Sequence, residues 1–105
     1  MINLAILGCG TVGSGVVKLL AKNQEAIAKK TGSAIQVVKV LEKDLDKCYK
    51  LDLREDQITS SFEDIINDDS IDIVVELIGG IEPAFSFIIA AMQKGKHIVT
   101  ANKDL

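Results

Sequence analysis

The sequence predicts an α/β fold built on a doubly wound parallel sheet of about five strands in the order 3-2-1-4-5. Three observations predict it. Short apolar runs alternate with stretches of helical periodicity, the pattern of βαβ units. The first run stops abruptly at a glycine-rich turn, and helical spacing begins directly after it. A nearly continuous apolar run over Ile71–Ile78 is what a central parallel strand needs when both its faces are covered. Right-handed crossovers then favour that strand order.

Each element has its own signal. Asn3 to Leu7 is the first strand, ended by Gly8. Val12, Val16, Leu19, Leu20 and Ile27 recur at helical spacing and predict one helix from Val12 to about Lys30. Lys29 and Lys30 suit the negative end of its dipole, and Gly32 stops it. Ile35 to Leu41, rich in β-branched residues, is the second strand. The charged stretch from Glu42 to Asp56 is read as loop with one helical turn, and Ile58 to Ser60 as a short edge strand. Ser61-Phe62-Glu63-Asp64 resembles a capping box opening a short helix through Ile66. Ile71 to Ile78 forms the fourth strand and ends at Gly79-Gly80. Pro83 fits the first turn of a helix that runs to Lys94 and stops at Gly95. Ile98 to Thr100 begins a fifth strand, five residues before Leu105.

Composition narrows the function classes. The chain has 105 residues, 48% hydrophobic and 26% charged, with one proline, which is the make-up of one globular domain. Twelve Lys and Arg against fifteen Asp and Glu give a net charge of −3, too acidic for a general nucleic-acid binder. Two cysteines without a CxxC pair make no disulfide framework. No apolar run approaches the ~20 residues that span a bilayer, and MINLAILG lacks the basic segment and long apolar run of a secretory signal. A cytoplasmic, reduced domain is the expectation. Stopping after a fifth strand, where doubly wound dinucleotide domains usually have a sixth, reads as a fragment of a longer protein.

Gly8-Cys9-Gly10-Thr11-Val12-Gly13 is a GxGxxG sequence placed between a predicted strand and a predicted helix, the context that makes it a dinucleotide signal. Gly8 allows the tight turn, Gly10 lets a pyrophosphate approach the backbone, and Gly13 lets the helix press against the sheet. Free N–H groups of Thr11, Val12 and their neighbours form an anion site with the helix dipole. Packing alone could also account for such a loop. At the end of the second strand, a carboxylate would accept from the ribose 2′-OH of NAD and a cation would accommodate the 2′-phosphate of NADP. Glu42 and Lys43 both stand there, so the spacing leaves the cofactor open between NADP and NAD. Ile78, Gly79 and Gly80 reach the switch point between the first and fourth strands, where open α/β sheets bind ligands. Glu76 lies inside an apolar strand and needs a hydrogen-bonding partner there. Lys103, with Asn102, follows the fifth strand to the same edge, as a proton donor, a fixed charge, or simply a surface lysine. His97 is read as structural, Cys9 as a small packing residue and Cys48 as an ordinary loop thiol; no metal-ligand spacing is present.

Three segments together resemble homoserine dehydrogenase: LGCGTVGSGVVKLL (Leu7–Leu20), DIVVELIGGIEPA (Asp72–Ala84) and GKHIVTANKDL (Gly95–Leu105). The glycine loop is shared by many dehydrogenases, whereas the second and third segments are more specific. The resemblance is to the N-terminal, Rossmann-type NAD(P)-binding half and covers essentially the whole chain. It implies NAD(P)-dependent interconversion of L-homoserine and L-aspartate 4-semialdehyde, in threonine and methionine synthesis. It implies further that Thr11 and Val12 contact the pyrophosphate, that Lys43 meets the 2′-phosphate in place of the usual arginine, and that Lys103 lies by the nicotinamide and assists proton transfer or polarises the carbonyl. A substrate-binding and dimerising region would lie beyond Leu105, the parent would be a homodimer acting on a small molecule without nucleic acid or membrane, and the 105 residues alone would not turn over. A non-catalytic NAD(H)-sensing module and a methyltransferase-like nucleotide domain are the competing readings.

Overall fold

A computed structural model describes residues 1–48, 51 and 53–101, leaving out the Thr11 side chain. Five parallel strands form one sheet: β1 (Ile2–Leu7), β2 (Ile35–Leu41), β3 (Ile58–Thr59), β4 (Ile73–Glu76) and β5 (His97–Thr100). Their spatial order is β3-β2-β1-β4-β5, the expected one, with the chain reversing direction of travel across the sheet at β1. Four helices connect them: α1 (Thr11–Lys22), α2 (Gln24–Thr31), α3 (Glu63–Ile66) and α4 (Ala84–Gln93).

Alternation along β1 distributes the core between two faces, because successive side chains of a strand point to opposite sides. Ala5 and Leu7 join Leu41, Ile65, Ile71, Val74 and Ala91 beneath α3 and α4. Ile6 turns the other way and packs with Cys9, Val17, Val40, Cys48 and Leu51 on the α1 side. Phe62 and Phe87 stack with ring centroids 4.1 Å apart, adding to the first cluster. Residues 4–7 of β1 are buried, as befits the strand with neighbours on both sides.

Several boundaries differ from the sequence expectation. The first helix is two helices: Asn23 breaks it with φ −113° and ψ 23°, and its Nδ2 donates to the Leu19 carbonyl at 2.9 Å. An asparagine amide competes with the main chain for such carbonyls, which is why it interrupts helices. Gly32 does stop the second helix, in the left-handed conformation at φ 78°. The apolar stripe is used only in part: Val16 packs against the core, but Val12 and Leu19 are 60% and 62% exposed, and Gly13 and Val17 are the buried positions of α1. Among its described residues the loop after β2 holds two 3₁₀ turns, Leu45–Cys48 and Glu55–Gln57, where one helical turn is expected. Ser61 does not cap α3; its hydroxyl donates to Glu63 Oε2 at 3.0 Å, and Thr59 Oγ1 donates to Asp64 Oδ2 at 2.5 Å. Pairing in β4 covers four residues, not eight, because Leu77 and Ile78 peel away toward Gly79 and Gly80, both at positive φ. Pro83 sits one residue before α4 rather than in its first turn, and Gly95 follows the helix at φ 78°.

Candidate functional site

The carboxyl ends of β1, β2 and β4 converge at one edge of the sheet, and the glycine loop lies across them. Gly8 leaves β1 at φ +100°, a region L side chains rarely adopt, while its N–H donates to the Leu41 carbonyl at 2.8 Å. A Cβ there would meet the Leu77 carbonyl oxygen at 3.1 Å and the Ile78 Cα at 3.3 Å. Gly8 is therefore fixed both by its dihedral and by the close approach of the chain leaving β4. Gly13 is buried, and a Cβ on it would lie 3.0 Å from the carbonyl carbon of Gly8, with the Gly8 oxygen nearer still. The helix thus presses on the loop's own backbone more than on the strands, with only Ile6 Cγ2 in ordinary contact at 3.9 Å.

Gly10 differs from both. It is exposed, stands at the N-cap of α1, and a Cβ built on it would meet nothing within 4 Å. No side chain of the described residues caps the helix. The first intrahelical donor is Ser14 N–H, 2.8 Å from the Gly10 carbonyl, so the amides of Thr11, Val12 and Gly13 have no acceptor within the helix. With the dipole of a 12-residue helix behind them, these amides favour an anion. The open space at Gly10 is the cradle that a pyrophosphate requires, and a side chain would fill it.

A cavity of about 270 Å³ opens beside this loop. Gly8, Gly10, Leu41, Glu42, Lys43, Lys47 and Ser60 line one part, and Leu77, Ile78, Pro83 and Phe87 the other. The structure thus brings the predicted Gly8, Gly10, Lys43 and Ile78 together at one mouth. Gly79 and Gly80 follow Ile78 and are exposed, at φ 85° and 73°. Thr11, Val12 and Gly13 form the first turn of α1 behind the loop. Lys103 and Asn102 lie outside the described residues.

Two acidic side chains organise the site. Glu42 follows β2 immediately, and its Oε1 accepts the N–H of Cys9, inside the glycine loop, at 2.8 Å. Its Oε2 accepts the Asp44 N–H at 3.1 Å. Burial works against its ionisation, but the Cys9 and Asp44 amides and the Lys47 charge outweigh that and hold its carboxyl below the usual carboxylate range. Glu76 is fully buried; its Oε2 accepts the Ile78 N–H and its Oε1 the Thr100 hydroxyl, each at 2.7 Å. The expected structural partner of Glu76 is therefore double, and it ties β5 to the turn that carries Gly79 and Gly80. The Glu42–Cys9 link has no local signal in the sequence, since the two residues meet only when β1 and β2 pair.

The cysteines also meet across this loop. Cys9 is buried as a packing residue, as expected, but Cys48 is buried too and is no ordinary loop thiol. Burial, the Cys9 side chain, and the charges of Glu42 and Asp44 push the Cys48 thiol up to about 12. His97 opens β5, exposed, paired in register with Ile73.

Comparison with known proteins decides the family. The family model for the NAD-binding domain of homoserine dehydrogenase matches residues 8–105. The chain belongs to that family. It is 42% identical to the homoserine dehydrogenase of Bacillus subtilis over 99% of its own length and 24% of the relative's. It is 44% identical to that of Synechocystis over 97% of this chain and 23% of the relative. Among solved structures, a Staphylococcus aureus homoserine dehydrogenase superposes with a TM-score of 0.89 at 42% identity, covering 99% of this chain and 26% of that one. The chain therefore spans about a quarter of the length of the homoserine dehydrogenases it matches. Family membership makes the cofactor class NAD or NADP. Among the described residues no helix is long and apolar enough to cross a membrane.

Proposed function

We propose that this chain is the dinucleotide-holding part of a homoserine dehydrogenase, interconverting L-homoserine and L-aspartate 4-semialdehyde with NAD or NADP in threonine and methionine synthesis. The observation that carries the reading is the open, side-chain-free approach at Gly10, set before a helix N-terminus whose first amides lack intrahelical acceptors. Gly10, Thr11, Val12 and Gly13 bind the pyrophosphate through main-chain N–H groups. Gly8 sets the direction of the loop. Lys43 borders the adenosine ribose at the end of β2, and Ile78, Gly79 and Gly80 offer main chain to the nicotinamide side. The cofactor, when bound, supplies the carbon centre that gives or takes hydride.

Lys103 carries the proton-transfer or carbonyl-polarising role, three residues past the end of β5. The substrate amino acid and the dimer contacts of a homodimeric, cytoplasmic parent belong to sequence outside these 105 residues, so the chain by itself holds nucleotide without turnover. Neither nucleic acid nor membrane is a partner.

Replacing Gly10 with alanine tests the reading on the 105-residue chain. Nothing within 4 Å of the new methyl opposes folding, so the unfolding free energy from urea titration should stay within about 0.5 kcal/mol of the parent. NADH affinity, followed by nicotinamide fluorescence, should fall tenfold or more. Unchanged affinity in the Gly10→Ala chain would mean that the diphosphate does not pass over this loop.

A further inference from the structure

We propose that Glu42 makes this site select NAD over NADP, by presenting a fixed carboxylate acceptor to the adenosine ribose; this rests on the dinucleotide reading above. Glu42 stands at the end of β2 and lines the cavity together with Gly10 and Lys43. It does not swing freely, because Cys9 N–H holds one oxygen at 2.8 Å and Asp44 N–H the other at 3.1 Å. The Cys9, Asp44 and Lys43 amides all act on this carboxylate, but an ionised carboxylate offers about four lone-pair sites, so not all are taken. Those remaining sites can only accept. A ribose 2′-hydroxyl donates and matches them; a 2′-phosphate near neutral pH brings acceptors and about two negative charges, and does not.

Lys43 does not reverse this balance. It is exposed, and its neighbours are acidic: the stretch 42–47 carries Glu42, Asp44 and Asp46 against Lys43 and Lys47. The Lys47 charge already acts on Glu42, helping to keep it ionised. A dianionic group entering here meets a net negative loop and a carboxylate fastened to the glycine loop itself. The lysine that the family resemblance would assign to a 2′-phosphate therefore stands beside a group that repels one.

Titration of the 105-residue chain with NADH and with NADPH, read by nicotinamide fluorescence, tests this without any catalytic step. NADH should bind about tenfold or more tightly than NADPH, as expected for a charge-assisted hydrogen bond exchanged for a repulsion. Glu42→Gln should shrink that ratio severalfold. Equal or tighter NADPH binding by the unmodified chain, or a ratio unmoved by Glu42→Gln, overturns the proposal. Because glutamine could also disturb the loop, a competition on the unmodified chain stands beside it. Adenosine 2′,5′-bisphosphate should displace NADH less well than 5′-AMP, and better displacement would also overturn the proposal. Binding of neither dinucleotide overturns the dinucleotide reading itself, and this assignment with it.

Discussion

Two glycines of α1, two residues apart, should respond to alanine with opposite signs. At Gly13 the added methyl would sit 3.0 Å from the Gly8 carbonyl carbon and closer to its oxygen. Neither neighbour is a flexible side chain. Gly8 is held by its hydrogen bond to Leu41 and by the chain leaving β4, so relief requires a displacement of ~1 Å between α1 and the loop. Overpacking of this kind costs about 1–3 kcal/mol, partly offset by the ~0.5–1 kcal/mol that alanine gains over glycine inside a helix. At Gly15 nothing lies within 4 Å, the position is exposed, and only the gain remains. Gly15→Ala should therefore stabilise the chain by ~0.5–1 kcal/mol while Gly13→Ala destabilises it by ~1–2 kcal/mol. For a domain of this size the difference corresponds to about 10 °C between the two melting temperatures. Urea and thermal unfolding followed by circular dichroism measure it directly. A Gly13→Ala chain as stable as Gly15→Ala would refute the claim that the helix is jammed against the loop backbone.

Other expectations follow from buried polar groups. Glu76→Ala removes the acceptor of the Ile78 N–H and of the Thr100 hydroxyl and leaves a void, so unfolding should become easier by ~2–4 kcal/mol in urea titrations. Native Cys9 and Cys48, 2% and 0% exposed, should resist iodoacetamide at pH 8, and both should label once urea unfolds the chain. The Ser70 hydroxyl, against some burial, together with the Ser70 amide and the Lys96 and Lys39 charges, holds Asp68 below its ordinary value of 3.8. A depressed carboxyl stabilises the fold above its unfolded value and loses that contribution as pH falls through the folded one. Stability of the parent should thus drop more steeply than that of Asp68→Asn below about pH 4, as measured by urea midpoints across pH.

Much of this architecture was legible because its signals are local. The strand run from Asn3 to Leu7 stopped by Gly8, the helix stop at Gly32 and the β-branched run before Glu42 each follow from neighbouring residues alone. Crossover handedness then carries these elements into the observed sheet order. What escaped is set by contacts that periodicity and residue type do not register, some local and some distant in sequence. Val17 rather than Val12 faces the core because Gly13 must meet Gly8, which rotates the helix about its axis. Asn23 splits the helix through its own amide on the Leu19 carbonyl, a bond that an apolar stripe does not register. Cys48 is drawn inside by a packing cluster assembled from β1, β2 and α1, and nothing in the charged stretch around it announces that burial. Of the site, the glycine spacing was readable, while the pairing of Glu42 with Cys9 depends on β1 and β2 lying side by side.

The central claim is that main-chain amides at the start of α1 receive the diphosphate. Amide chemical shifts of the isotope-labelled chain, recorded during titration with NADH, test it most directly. The largest displacements are predicted at Gly10, Val12 and Gly13, with smaller ones at Gly79 and Gly80. Saturating NADH that left those three amides unmoved while shifting others would contradict it.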